Sequence, residues 1–333
     1  WPSLGAARTT PNPQRYRSES QLAKWTAQGP AGWRTVATAE RFARDARTDV
    51  RSLNPQSTRT TSLTGDDRAR RERYSMEAIG YGVGPFSRLS ITAYAQDSLT
   101  QQDTAEIRAN VAAACLSAPG TVRCLREPRF RYEASERAVV AIGEHEGRAW
   151  GLEHRVVAGA EASRTRATES RDGRQTNLVT GAVTHVVGGE ALPTRDFPIT
   201  DTDRLGLFVQ DSIAAPGSPL TWIPGLRFDA FRLRPRSDAV FAAGNPGRDV
   251  AGLEDRAFSP KLGMLARLTD SLTLTGQLAT GFRAPPAADL NIGLTSLPAG
   301  YAVIANPDLR PETSRGAEAG LRWKREDLEA SLS

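Results

Sequence analysis

Along this chain, stretches in which every second residue is apolar recur, and the connections between them are short and long in turn. The clearest stretch is Leu272 to Arg283. Leu272, Leu274, Leu278 and Phe282 take one side of it, and Thr273, Thr275, Gln277, Gly281 and Arg283 the other. In the same way Leu89, Ile91, Ala93 and Ala95 oppose Ser90, Thr92, Tyr94 and Gln96, while Trp150, Leu152, Val156, Ala158 and Ala160 oppose Glu153, Arg155 and Glu161. A side-chain period of two belongs to a β-strand whose faces meet unlike surroundings.

About eleven such segments of about ten to fourteen residues are predicted, from near Trp33 to the end of the chain. Residues 1–32 show no period, and 45–71 read as polar and turn-rich. Short turns are expected near Gly84-Pro85, 144–148, Ala215–Pro219 and Thr269–Ser271. Long loops are expected over about 101–128, 166–202, 236–256 and 284–314. A soluble β-domain rarely carries a long loop at every second connection. An outer-membrane barrel does so routinely, with short turns on one rim and long loops on the other. Strands of this length suffice for a tilted crossing, which takes about 9–11 residues. The fold class expected is therefore all-β, an antiparallel transmembrane β-barrel with an apolar lipid face and a polar lumen. Trp150, Trp222 and Trp323 fall at strand ends, where an aromatic girdle lies. A large soluble extracellular β-domain is the alternative.

Composition narrows the partners. No run of 18 apolar residues occurs in the 333, so no helix is expected to span a membrane. The net charge is +5, yet arginine is spread evenly and never clusters with interleaved aromatics, which argues against nucleic acid. Cys115 and Cys124 lack metal-ligand spacing and flank a turn-forming Ala-Pro-Gly, so a loop-closing disulfide is the better reading. No nucleophile elbow, zinc-protease helix or phosphate loop is present, and no enzyme activity is expected.

Several stretches together resemble the barrel of TonB-dependent outer-membrane receptors. They are Gly206–Asp211 (GLFVQD), Ile223–Asp229 (IPGLRFD), Ser259–Gly263 (SPKLG), Phe282-Arg283-Ala284-Pro285, and the run Asn306-Pro307-Asp308-Leu309 continuing to Glu312. The likeness is strong over 200–333 and looser over 70–200. It implies about half of a 22-stranded barrel, with the N-terminal plug and its TonB-contact segment outside residues 1–333. It also implies active uptake driven by a TonB-ExbB-ExbD complex across the outer membrane of a Gram-negative bacterium, with no intrinsic cofactor. The cysteine loop running into Arg126–Tyr132, and Leu192–Pro198 (LPTRDFP), lean toward the haem and haemoglobin branch. Haem is then the expected cargo, free or from a haemoprotein. A ferric siderophore or other chelate is the alternative within transport, and a passive adhesin or structural barrel the alternative outside it.

In such haem receptors a histidine commonly lies between the FRAP and NPDL motifs. Residues 286–305 contain none, which leaves Tyr301 as the side chain there best able to ligate ferric iron. His185, in the loop after 166, and Arg283 complete the candidate ligand-binding set. His145 and His154 are expected on the short-turn rim.

Overall fold

The computed structural model describes residues 12–51, 60–109, 123–296 and 301–333. Strands dominate it. In chain order they are β1 (Gln14–Gln28), β2 (Arg34–Asp49), β3 (Thr60–Val83), β4 (Phe86–Ala109), β5 (Arg123–Ala149), β6 (Leu152–Asn177), the short β7 (Val183–Thr184), β8 (Val186–Val187) and β9 (Glu190–Ala191), then β10 (Ile199–Ala214) and β11 (Leu220–Arg236). They continue with β12 (Leu253–Arg267), β13 (Leu272–Arg283), β14 (Leu294–Ser296), β15 (Tyr301–Val303), β16 (Glu312–Arg325) and β17 (Leu328–Leu332). Two short helices, α1 (Ala239–Gly244) and α2 (Ala287–Asn291), lie in the long connections. Among the described residues no helix is long and apolar enough to cross a membrane.

One sheet holds the wall. Its path runs β1-β2-β3-β4-β5-β6-β10-β11-β12-β13-β16-β17, and every pairing along it is antiparallel. Register decides what each face meets. One row of partners reads Ala78, Ile91, Ala141, Ala160, Leu207, Phe228 and Phe258 across seven strands. The row beside it reads Trp25, Ala37, Met76, Ala93, Val139, Ala162 and Leu205. These rows form an exposed apolar belt, in which Val139 and Leu207 remain 50% and 42% accessible. Such a surface is stable only against hydrocarbon. The opposite face reads Glu40, Arg73, Gln96, Glu136, Thr165 and Thr202, a row suited to water.

The structure departs from the sequence reading in two places. Strands β3 to β6 are 24 to 27 residues long, about twice what the alternating pattern indicated, and β1 occupies a stretch with no legible period. The expected loops at 101–128 and 166–202 are correspondingly shorter, because β4 continues to Ala109 and β6 to Asn177. Beyond the belt both faces are wet, so the polar/apolar alternation disappears while the backbone pairing continues. Cross-strand ion pairs replace apolar contacts there: Asp103–Arg129 at 2.5 Å, Arg174–Glu127 at 2.6 Å and Arg70–Asp45 at 2.9 Å.

The short connections share the other rim. Three of them are two residues long, and in one, Trp150-Gly151, both residues have positive φ (51° and 76°), the conformation of a two-residue hairpin whose twist matches its strands. The Trp150 indole is 92% exposed and meets the His154 ring edge-on at 6.2 Å. His154 Nδ1 lies 2.7 Å from Asp211 and His145 contacts the Pro85 carbonyl, so both histidines are on the short-turn rim. Trp222 and Trp323 also lie near short turns, as expected.

A charge placed in mid-belt tests the lipid assignment. Leu207→Arg is expected to destabilise the vesicle-inserted receptor by about 2–4 kcal/mol in denaturant unfolding, and Ser163→Arg on the wet face by under about 1 kcal/mol. Equal costs would contradict the face assignment.

Candidate ligand-gathering face

At the far end of the wet face three of the long connections fold together instead of standing free. Leu192–Pro198 is their centre. Arg171 and Thr194 exchange backbone hydrogen bonds of 2.9 and 2.8 Å, which bring the segment back onto β6. The Asp196 amide donates to Glu169 Oε2 at 2.8 Å, and its carboxylate pairs with Arg171 at 3.0 Å. Arg171 is also paired with Glu190 and lies 5.1 Å over the Phe130 ring. Arg195 pairs with Asp238 at 3.0 Å and donates to the Glu169 carbonyl. Asp238 in turn caps α1 by accepting from the Phe241 amide at 2.9 Å.

The same segment reaches two further connections. Asn245 Nδ2 donates to the Arg195 carbonyl at 2.9 Å, and the Gly293 amide donates to the Asp196 carbonyl at 2.6 Å. Asn291 binds both backbone groups of Ala251, accepting from its amide at 2.7 Å and donating to its carbonyl at 2.8 Å. Connections β6–β10, β11–β12 and β13–β16 thus form one cap on the inward face. Register places Glu169, Arg171 and Gln175 on that face with Thr165 and Glu161. A sequence signal for them existed, because odd positions of β6 continue inward past 165, but the loop reading ended the strand too early.

The two family-type motifs have a packing role. Phe282 and Ala284 pack with Leu309 against the buried cluster of Phe231, Leu233 and Leu290. The Phe231 and Phe282 ring centroids are 5.8 Å apart. Asn306 starts a turn through Pro307, its side chain accepting from the Asp308 amide at 3.2 Å and its carbonyl from the Leu309 amide at 3.3 Å. Pro285 leads into α2, where Leu290 is only 1% exposed. The motifs clasp the feet of the 286–305 loop to β11.

The candidate ligands are not gathered into one site by what is described. Arg283 ends β13 and pairs loosely with Glu312 at 3.7 Å, both side chains over 70% exposed. His185 lies between β7 and β8, with Nδ1 at 3.0 Å from the Gly173 carbonyl. It borders an open cleft with Asp66, Asp103, Glu127, Asp172 and Arg174. Register puts those residues on the outward face, above the belt, so His185 sits outside the cap. Tyr301 opens β15, paired with Ser296 of β14, and its side chain lies outside the description. Cys124 is buried and disulfide-bonded, while Cys115 falls outside the described residues. The inward cations Arg171 and Arg195 are engaged by acidic partners, so their first role is to hold the cap.

The family model for the β-barrel of TonB-dependent receptor-like proteins matches residues 5–333. The chain belongs to this family. TonB-dependent receptors are outer-membrane transport proteins, and three solved structures share the fold of this chain. HasR of Serratia marcescens, seen as a double mutant with its hemophore HasA and heme, superposes with a TM-score of 0.61 at 19% identity, over 98% of this chain and 45% of that one. BauA, the ferric preacinetobactin receptor of Acinetobacter baumannii, gives 0.56 at 12% identity, over 93% and 45%. The RagAB peptide transporter gives 0.57 at 12% identity, over 93% and 38%. The chain spans less than half the length of these structures. None of the curated proteins matches its sequence. Identities this low establish the fold and leave the cargo open.

Within the cap, burial raises the Glu169 carboxyl to about 7, against the opposing pull of the Asp196 amide. Its folded value lies above the ordinary 4.5, so the neutral form holds the cap. That contribution is complete below about 4.5, declines as the pH rises to about 7, and is absent above it. Hydrogen exchange of amides 192–198 in the full gene product, corrected for intrinsic rates, should show protection falling over that window. Glu169→Gln should flatten the dependence.

Proposed function

We propose that the chain is the wall and cap of a receptor for haem, free or surrendered by a haemoprotein, taken up across the outer membrane with energy from a TonB-ExbB-ExbD complex. The observation that carries the reading is the cap itself. It is centred on Leu192–Pro198, a segment of the haem-branch type, and sets aromatic rings beside arginines: Phe130 under Arg171, and Tyr132 at 6.3 Å from Phe197. Flat rings next to cations suit a planar, apolar cargo with acidic edges. HasR, solved with heme, is among the similar folds and supports the same cargo class. On this reading Tyr301 supplies the iron ligand from the clasped loop, with His185 and Arg283 as the further candidates. Haem is then transported ligand, with no intrinsic cofactor, and the plug and TonB-contact segment belong to other parts of the receptor.

One observation favours a ferric chelate instead. Residues 286–305 contain no histidine, and a chelate already carries its own iron ligands. BauA, a ferric preacinetobactin receptor, is also similar in fold.

Haem titration of the full gene product decides between them. A Soret shift in the wild type, reduced about tenfold in apparent affinity by Tyr301→Ala and less by His185→Ala or Arg283→Ala, is expected. No shift in the intact protein, together with quenching by a ferric chelate, would replace haem by the chelate.

A further inference from the structure

The lipid-side face directly above the belt carries an arginine excess that the transport reading leaves unused. On β10, Asp203 follows the belt residue Leu205 by one outward step, and Asp201 by the next. Arg164 binds Asp203 at 2.6 Å, and Arg234 pairs with the same carboxylate. Arg166 binds Asp201 at 2.8 Å, and Arg236 approaches it at 3.4 Å. Register puts all six side chains on the face that holds Ala162, Leu205 and Ala230. Four guanidinium groups therefore surround two carboxylates, an excess of two positive charges.

Their accessibilities are uneven in a telling way. The aspartates are 17% and 33% exposed, while the four arginine side chains are 40–61% exposed. The carboxylates lie beneath, orienting the guanidinium groups, and the cations face outward. One outward step along a strand is about 7 Å and two about 14 Å, so the cluster stands at headgroup depth when the belt is in hydrocarbon. Guanidinium groups held on a rigid sheet recognise phosphate oxygens in a bidentate manner, and each cation near an anionic membrane surface strengthens attachment. Elsewhere on the outward extension, Arg129–Asp103 and Arg174–Glu127 are matched one to one, and the lone Asp45 that meets two arginines, Arg70 and Arg68, stands farther from the belt.

We propose that Arg164, Arg166, Arg234 and Arg236 form a docking site for the phosphorylated headgroup of an outer-leaflet lipid. The site lies on the barrel exterior and is independent of the cargo.

The pairing supplies a variant that spares the fold. In Arg234→Gln/Arg236→Gln each aspartate keeps one arginine, and the excess of two charges is removed. The full gene product, purified in detergent, is titrated with diphosphorylated lipid A and with its dephosphorylated form, and retained lipid is read by native mass spectrometry. The wild type is expected to hold the diphosphorylated form, and the double variant to hold it about 25-fold less well, about fivefold per cation. Arg129→Gln, farther from the belt, should leave retention unchanged. Should the Gln variant not fold, Arg234→Lys/Arg236→Lys takes its place and should retain lipid within about fivefold. Equal retention by wild type and folded Gln variant, no preference for the phosphorylated form, or complete loss in a folded Lys variant would overturn the proposal. Displacement of the lipid by inorganic phosphate at equal concentration would mark a free-anion site and overturn the lipid assignment. A change in self-association alone would mark a protein interface and overturn it as well.

Discussion

Hydrocarbon offers a peptide group no hydrogen-bond partner, so every N–H and C=O that crosses a bilayer must be satisfied by the chain itself. A chain without long apolar runs cannot do this with a helix, and a ladder of paired strands is what remains. The register of this sheet then fixes everything placed on it. Because side chains alternate strictly, an uninterrupted pairing from β2 to β6 extends one apolar row across all of those strands, and a shift of one residue anywhere would send it into the lumen. Apart from an irregularity at Thr60 and Ser62, far above the belt, the β3–β4 pairing keeps one register.

The sequence was legible where the two solvents differed. Leu272–Arg283 showed its strand plainly because lipid and water impose opposite chemistries on its faces, and β13 occupies that span. Arg166 to Asn177 gave no such sign, since water lies on both sides of that part of β6 and arginine, glutamate, glycine and glutamine suit either. β1 was hidden differently: it reaches the belt at Trp25, but its apolar Leu22 and Ala23 fall on opposite faces and break the alternation. Site residues followed the same division. The Phe282–Pro285 and Asn306–Leu309 motifs stood out as words, but their meaning as a packed clasp depends on Phe231 and Leu233, which are distant in sequence and unremarkable in pattern. Glu169 and Arg195 become significant only once β6 is known to continue inward beneath the returning segment.

Charge has different duties on the two sides of the wall. Inside, arginines and acids are partly buried and tie three connections into one body, so they act as positioning groups for whatever the cap receives. Outside, exposed pairs of this kind add little stability one at a time, and their value lies in keeping long strands soluble and in register beyond the membrane. The short-turn rim carries ion pairs as well, among them Arg88–Glu144 and Arg148–Glu153. Its turns are fixed by backbone conformation, and Trp150 holds an aromatic ring at the boundary.

The clasp around Phe231, Leu233 and Leu290 has an evolutionary consequence. It anchors both feet of the 286–305 segment to a strand that belongs to neither of them, so the wall does not feel what happens between the feet. Lengthening a tethered segment costs only about 0.6 kcal/mol per doubling. Leu290, Asn291 and Gly293 are tied into the clasp and the cap, so it is the residues after them, up to Asn306, that can be exchanged, shortened or extended under selection for a new molecule to capture. A receptor built this way can change its diet without renegotiating its place in the membrane.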